Sequence, residues 1–194
     1  HPVPYPPRPV ELTYSRTSRW RRWETEDQRF VDGRPDVLTW QTGPLTSDVT
    51  VAGDVVARLY ASTSGTDADW VVKLIDVYPD TVPGRADFGG YELMVTGEIM
   101  RGRYYKSWSE PAAIPANQVV PFTVDLHQQS YTFKRGHRMM VQVQSTWFPL
   151  YDRNPQTFVP NIFLAKPGDF RARTHRIWRS RRYASHIVLP VLPE

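Results

Sequence analysis

Ser62, Thr63 and Ser64, in the run Ala61-Ser62-Thr63-Ser64-Gly65, come nearest in this chain to a hydrolase nucleophile. An α/β-hydrolase places its serine in Gly-x-Ser-x-Gly, on a sharp strand-to-helix turn. Here threonine holds the centre, the first glycine is missing, and the run closes an alternating strand pattern. The motif is therefore excluded as a nucleophile elbow. Acid–base chemistry would have to come from His1, His127, His137, His175 or His186. None stands in a metal-ligand spacing such as His-Glu-x-x-His. Each reads as an ordinary surface or half-buried histidine, and no catalytic residue is assigned. A triad built from distant residues is recognised by geometry, not by sequence.

Asp67 and Asp69 supply two carboxylates beside Thr66. Calcium needs six or more oxygens, and no EF-hand spacing follows. The better reading of Gly65 to Asp69 is a turn whose aspartates accept backbone N–H groups. No glycine loop of the phosphate-cradling type is present. Neither a cofactor nor a metal is expected. Cysteine is absent, so disulfides and thiolate sites are excluded.

Net charge is +4, carried almost wholly by arginine; the lysines are Lys73, Lys106, Lys134 and Lys166. Arginine suits bidentate pairing and stacking. Tyr5, Trp20, Trp23 and Trp108 are candidates for contact with another domain or subunit. Stacking of the tryptophans on bases or sugars is the rival reading; nucleic acid is not expected as a partner. Arg171 to Arg182 is strongly basic, with Ile177 and Trp178 interleaved. It reads as a solvated edge strand whose arginines deter edge pairing, against a binding patch.

The elements that hold these residues are strands. Residues 1–35 form a Pro-rich arm and entry loop, because proline lacks the N–H and fixes φ. From 36 to 194 the pattern is β: Val37–Thr42, Asp54–Ser62, Trp70–Tyr78, Tyr91–Met100, Val119–Leu126, His137–Ser145, Thr174–Trp178 and Ser185–Leu189. Trp70 to Tyr78 is apolar on both faces, as a central strand is. About eight strands with Gly and Pro punctuation and little helix imply an all-β antiparallel sandwich of jelly-roll type. A domain of this length buries roughly 70% of its unfolded surface. No run approaches a membrane-spanning length and no signal peptide is read. The start at His1 implies a piece of a longer or processed chain.

The strand from His137 runs into a loop of aromatics and charges: Phe148, Tyr151, Asp152, Arg153 and Asn154, bracketed by Pro149 and Pro155. Charged groups inside such a loop must be paired or must reach water. The expectation is that Asp152 and Arg153 are tied down beneath Phe148 and Tyr151.

Several runs carry a family resemblance. They are His1-Pro2-Val3-Pro4 with Pro7-Arg8-Pro9, Asp27 to Leu38, Ala61 to Pro79, Gly89 to Leu93, His137 to Ser145, and Phe148 to Asp169 with Asn154-Pro155-Gln156-Thr157 and Ala165-Lys166-Pro167-Gly168-Asp169. Together they resemble the C-terminal region of the α-amino-acid ester hydrolases and glutaryl-7-aminocephalosporanic-acid acylases, relatives of cocaine esterase and the X-prolyl dipeptidyl peptidases. The resemblance implies a galactose-binding-like jelly roll following an α/β-hydrolase domain and a helical cap. The catalytic triad then lies outside this segment, and no catalytic residue carries over. It further implies that the chain braces those two domains, that the parent is a homo-oligomer, and that it is periplasmic or secreted. A carbohydrate- or other ligand-binding jelly roll is the alternative. It requires tryptophans clustered on an exposed concave face.

Overall fold

The computed structural model describes residues 26–31 and 34–193. Tyr5, Trp20 and Trp23, and most of the Pro-rich arm, lie outside the described residues. Eight strands are present among the described residues: β1 (Val37–Gln41), β2 (Val49–Thr63), β3 (Asp69–Val77), β4 (Glu92–Arg101), β5 (Val120–Phe133), β6 (Arg138–Gln144), β7 (His175–Ile177) and β8 (His186–Val188). Among the described residues, helical structure is confined to short 3-10 turns. One sheet has the order β1-β6-β3-β4. In the other, β2 pairs β5 on one side and β7 and β8 on the other. Every pairing is antiparallel. The chain is an all-β sandwich, as its pattern implied.

The period of two explains the packing. Trp70, Val72 and Leu74 of β3 face the second sheet and meet Val55, Ala57 and Leu59 of β2 and Phe122, Val124 and Leu126 of β5 in one core. The alternate residues Val71, Lys73 and Ile75 are equally buried on the outer face of β3. A second apolar cluster of Val31, Val71 and Trp147 covers that face. Lys73 donates to Gln28 Oε1 at 2.7 Å and lies 5.3 Å from the Trp147 ring centre. Hence β3 reads apolar on both faces: one faces the sandwich core, the other lies beneath Trp147 and the turn Gln28–Val31.

Two strands are longer than the pattern implies. β2 begins at Val49 and β5 continues to Phe133, because Val49–Asp54 pairs with Gln128–Phe133. His127 interrupts the alternation with φ 62, and the register shifts opposite it between Asp54 and Val56. A bulge hides the continuity of a strand from period-two reading.

Candidate interdomain surface

Between β6 and β7 the chain runs thirty residues without a strand, from Ser145 to Thr174. A loop of that length keeps one shape only if it is anchored. Its seat is the turn after β2. Ser64 N donates to Thr174 O at 2.9 Å, and Thr174 N donates to Ser64 Oγ at 3.0 Å. Phe158 N donates to Thr66 Oγ1 at 2.9 Å. Ser62 Oγ accepts from Trp178 Nε1 at 3.0 Å, and Thr63 Oγ1 accepts from Gly65 N at 3.0 Å. The hydroxyls of Ser62, Thr63 and Ser64 are thus occupied in building the seat.

Two buried carboxylates, Asp67 and Asp69, complete it. Arg103 Nε donates to Asp67 Oδ2 at 2.9 Å, and its Nη2 to Val159 O at 2.6 Å. Its guanidinium also lies 4.9 Å from the Phe158 ring centre. Asp67 Oδ1 accepts from Ala68 N at 2.9 Å. Asn154 Nδ2 donates to Asp69 Oδ1 at 2.9 Å, while Asn154 Oδ1 accepts from Gln156 N at 2.7 Å. Burial pushes the Asp69 carboxyl up to about 7, against the opposing pull of Arg101 and the Asn154 amide. Asp67 accepts a neighbouring N–H as the turn reading expects. Both aspartates are nevertheless buried, and their main partners come from distant chain.

The expectation for Asp152 is corrected. Asp152 is exposed, and its carboxylate has no hydrogen-bond or ion-pair partner among the described residues; only its backbone oxygen accepts, from Arg101 Nη2 at 3.2 Å. Arg153 is exposed too, and its guanidinium lies 5.2 Å from the Phe148 ring centre and 5.9 Å from that of Phe170. The chain turns inward one residue later than expected. Asn154 takes the buried place, because a neutral amide costs less to desolvate than a carboxylate. Tyr151 stacks on Trp147 and donates to Glu98 Oε1 at 3.0 Å.

The seat holds apolar groups outward. Asn161 Oδ1 accepts from Phe163 N at 2.9 Å, capping the turn Ile162–Leu164. Phe163 is 75% exposed, Leu164 74% and Trp108 77%. Leu150 is exposed on the same loop. The other described tryptophans, Trp40, Trp70, Trp147 and Trp178, are buried or half-buried. Trp108 was among the contact candidates named from the sequence and is exposed; Phe163 and Leu164 were not among them. An apolar pair behind an Asn cap, in an Asn-Ile-Phe-Leu run, was the available signal.

His137 and Asp76 form an acid–base pair, with Nδ1 2.9 Å from Oδ1. Tyr131 Oη donates to Asp76 Oδ2 at 2.7 Å. Burial and that carboxylate raise the Tyr131 phenol above its ordinary value. No serine or threonine hydroxyl bonds His137 among the described residues, so the pair lacks a nucleophile.

Residues 12–188 match the family described as the X-Pro dipeptidyl-peptidase C-terminal non-catalytic domain. The chain is similar to cocaine esterase of Rhodococcus sp. (strain MB1 Bresler), 39% identical over 166 residues, covering 86% of this chain and 27% of that protein. It is similar to an aminopeptidase structure from a marine sediment Thaumarchaeota archaeon, with 50% identity and TM-score 0.95, covering 100% of this chain and 32% of the other. An α-amino acid ester hydrolase structure matches with 54% identity and TM-score 0.93, covering 99% of this chain and 31% of the other. The chain thus spans about a third or less of the length of these relatives, as their C-terminal part. A family match over most of the chain, a sandwich fold and homologous hydrolases that extend well beyond it agree: the chain belongs to the X-Pro dipeptidyl-peptidase C-terminal non-catalytic domain family.

Proposed function

We propose that this domain braces the α/β-hydrolase and cap domains of a serine ester hydrolase or acylase, acting on α-amino-acid esters or acyl β-lactams. The parent is a homo-oligomer and is periplasmic or secreted. The observation that carries the bracing role is the loop from Ser145 to Thr174. It is fastened by buried pairs, yet it presents Phe163 and Leu164 to solvent. Rigid apolar groups without cover mark an interaction surface. Trp108 adds a further exposed aromatic. The substrate class rests on the likeness to the ester hydrolase and esterase relatives. The carbohydrate-module alternative gains nothing here, because Trp108 stands alone as an exposed tryptophan among the described residues.

The test is Phe163→Ser with Leu164→Ser, in this chain and in the longer hydrolase that carries it. In the isolated chain the melt stays unchanged, because both side chains are already exposed. In the longer enzyme the hydrolase and C-terminal domains unfold in separate transitions, and ester turnover falls at elevated temperature. A longer enzyme with unaltered melt and turnover overturns the bracing role of this loop.

A further inference from the structure

Among the described residues the two sheets do not pair along one edge, where β1 borders one sheet and β7 and β8 border the other. Two cavities lie along this seam. One, of about 450 Å³, is lined by Leu38, Val143, Gln144, Arg173, His175 and Ile177 among others. The second, of about 200 Å³, is lined by Trp40, Val141, Val143, Ile177, Arg179 and Ile187 among others. They share Val143 and Ile177, so the floor is a continuous apolar strip. Gln144 is 1% exposed, lines the larger cavity, and leaves both Oε1 and Nε2 without a hydrogen-bond partner. His175 lines the same wall with both ring nitrogens unpartnered. Buried polar atoms without partners are few in native structures.

The rim supplies the sign of the occupant. Asp36 is the one carboxylate among the described lining residues, and Arg34 Nε already donates to it at 2.9 Å. Arg173 and Arg179 line the cavities, are exposed, and enter no ion pair among the described residues. Arg171, Arg176, Arg181 and Arg182 share that exposure, and residues 170–193 contain no Asp or Glu. The shape follows from β1, an edge strand that among the described residues pairs only with β6. Edge strands offer backbone donors and acceptors to an added strand, and adjacent pockets take its side chains.

We infer that the seam between β1 and β7 is a docking groove for an extended peptide segment whose apolar side chains alternate with carboxylates. Its apolar side chains fill the strip over Val143 and Ile177, its carboxylates pair with Arg173 and Arg179, and its backbone pairs with β1. Arg173 belongs to the anchored loop, but this surface involves neither Phe163 nor Trp108, so it does not rest on the bracing role. Arginines that only deter edge pairing would be indifferent to what lies between them.

The probe is a fluorescein-labelled peptide of alternating leucine and glutamate, titrated into the 194-residue chain by anisotropy. Matched leucine–lysine and leucine–serine peptides are the controls. The leucine–glutamate peptide is expected to bind best, to weaken with added salt, and to slow amide hydrogen exchange at Val37–Gln41. Arg173→Ala with Arg179→Ala lowers its affinity about tenfold, the loss of charge-assisted contacts, and leaves the thermal melt unchanged. Leu38→Lys, at an exposed position of the wall, blocks binding. Absence of binding, equal binding of the lysine peptide, or unchanged exchange at β1 overturns the proposal. So does a concentration-dependent dimer that Leu38→Lys dissolves, because the occupant is then a second copy of this chain. Aggregation of the double arginine variant with undiminished peptide affinity assigns the arginines to edge protection instead.

Discussion

Asn154 Nδ2 donates to Asp69 Oδ1 at 2.9 Å, both side chains are buried, and 85 positions separate them in the chain. This contact fastens the long loop to the start of β3. Its neighbour Asp152 is exposed, with no partner for its carboxylate among the described residues. The two residues are two positions apart and should respond oppositely to truncation. Asn154→Ala strips Asp69 and Gln156 N of their partner, and a buried group so stranded costs about 1–3 kcal/mol. Asp152→Ala should stay within about 0.5 kcal/mol, as a plain surface change does. Urea unfolding of the two variants beside wild type measures both. Equal midpoints for all three would remove Asn154 from the anchor.

Asp69 and His175 give the domain opposing pH slopes. Burial raises the Asp69 carboxyl from 3.8 to about 7 and lowers the His175 imidazole from 6.5 to about 4. The folded state therefore holds the Asp69 proton more tightly than the unfolded chain. The stability tied to that proton is full below about 3.8 and is lost as pH rises to about 7. For His175 the sign reverses: its contribution is full above 6.5 and is lost as pH falls to about 4. Asp69→Asn keeps the acceptor for Asn154 and removes the first slope. Its stability relative to wild type should increase steadily between pH 4 and pH 7. His175→Gln should do the reverse, gaining relative to wild type as pH falls through the same window. Urea unfolding at several pH values tests both, and parallel profiles for wild type and either variant reject that assignment.

Arg103 and Asp67 are the second anchor, with side chains 4% and 0% exposed. Arg103→Met leaves the Asp67 carboxylate buried without its counter-ion, a loss of about 3–5 kcal/mol. Adding Asp67→Leu removes the stranded charge and should recover part of it. The comparison separates the pair's net worth from the penalty of breaking it. In hydrogen exchange, the single variant should loosen the loop around Val159 before the strands. A double variant as unstable as the single one would show that packing around Phe158, not charge, sets the cost.

The isolated chain should not hydrolyse α-amino esters, acyl β-lactams or p-nitrophenyl esters. Ser62, Thr63 and Ser64 are engaged in the loop seat, and among the described residues no serine or threonine hydroxyl bonds His137 of the His137–Asp76 pair. Purified protein should match buffer. Turnover that survives repurification and disappears with one Ser→Ala change in this chain would sink the non-catalytic reading.

The alternation that makes strands was plain in the residues themselves. Val55, Ala57, Leu59 and Ala61 declare the buried face of β2, and Trp70, Val72 and Leu74 that of β3. The order of strands was not legible, because it depends on partners such as Trp70 and Met100 that meet only in space. Burial of charge was misjudged for the same reason. Nothing local distinguishes Asp152, which faces water, from Asp69, which is buried because Asn154 and the arginine side chains converge on it. The Lys73–Gln28 bond was equally hidden, since a lysine in the middle of β3 reads as an outward charge until its cover is known.

Gly65 closes the run that first resembled a nucleophile motif, and its absent side chain has a structural cause. A Cβ built there would lie 2.3 Å from Gln156 O and 2.9 Å from Arg173 Cγ. The first neighbour is backbone of the anchored loop, fixed by Thr66 N donating to Gln156 O at 3.3 Å and by Asn154 Oδ1 accepting from Gln156 N. It has no room to yield without releasing both bonds. Gly65→Ala should therefore destabilise by about 1–3 kcal/mol through overpacking. Gly168→Ala is the control, because nothing lies within 4 Å of a Cβ there. Gly65→Ala should also speed amide exchange at Thr66 and Gln156 while β3 and β6 keep their protection. If the two variants melt together, the close approach of the loop to the β2 turn is not what glycine serves at position 65.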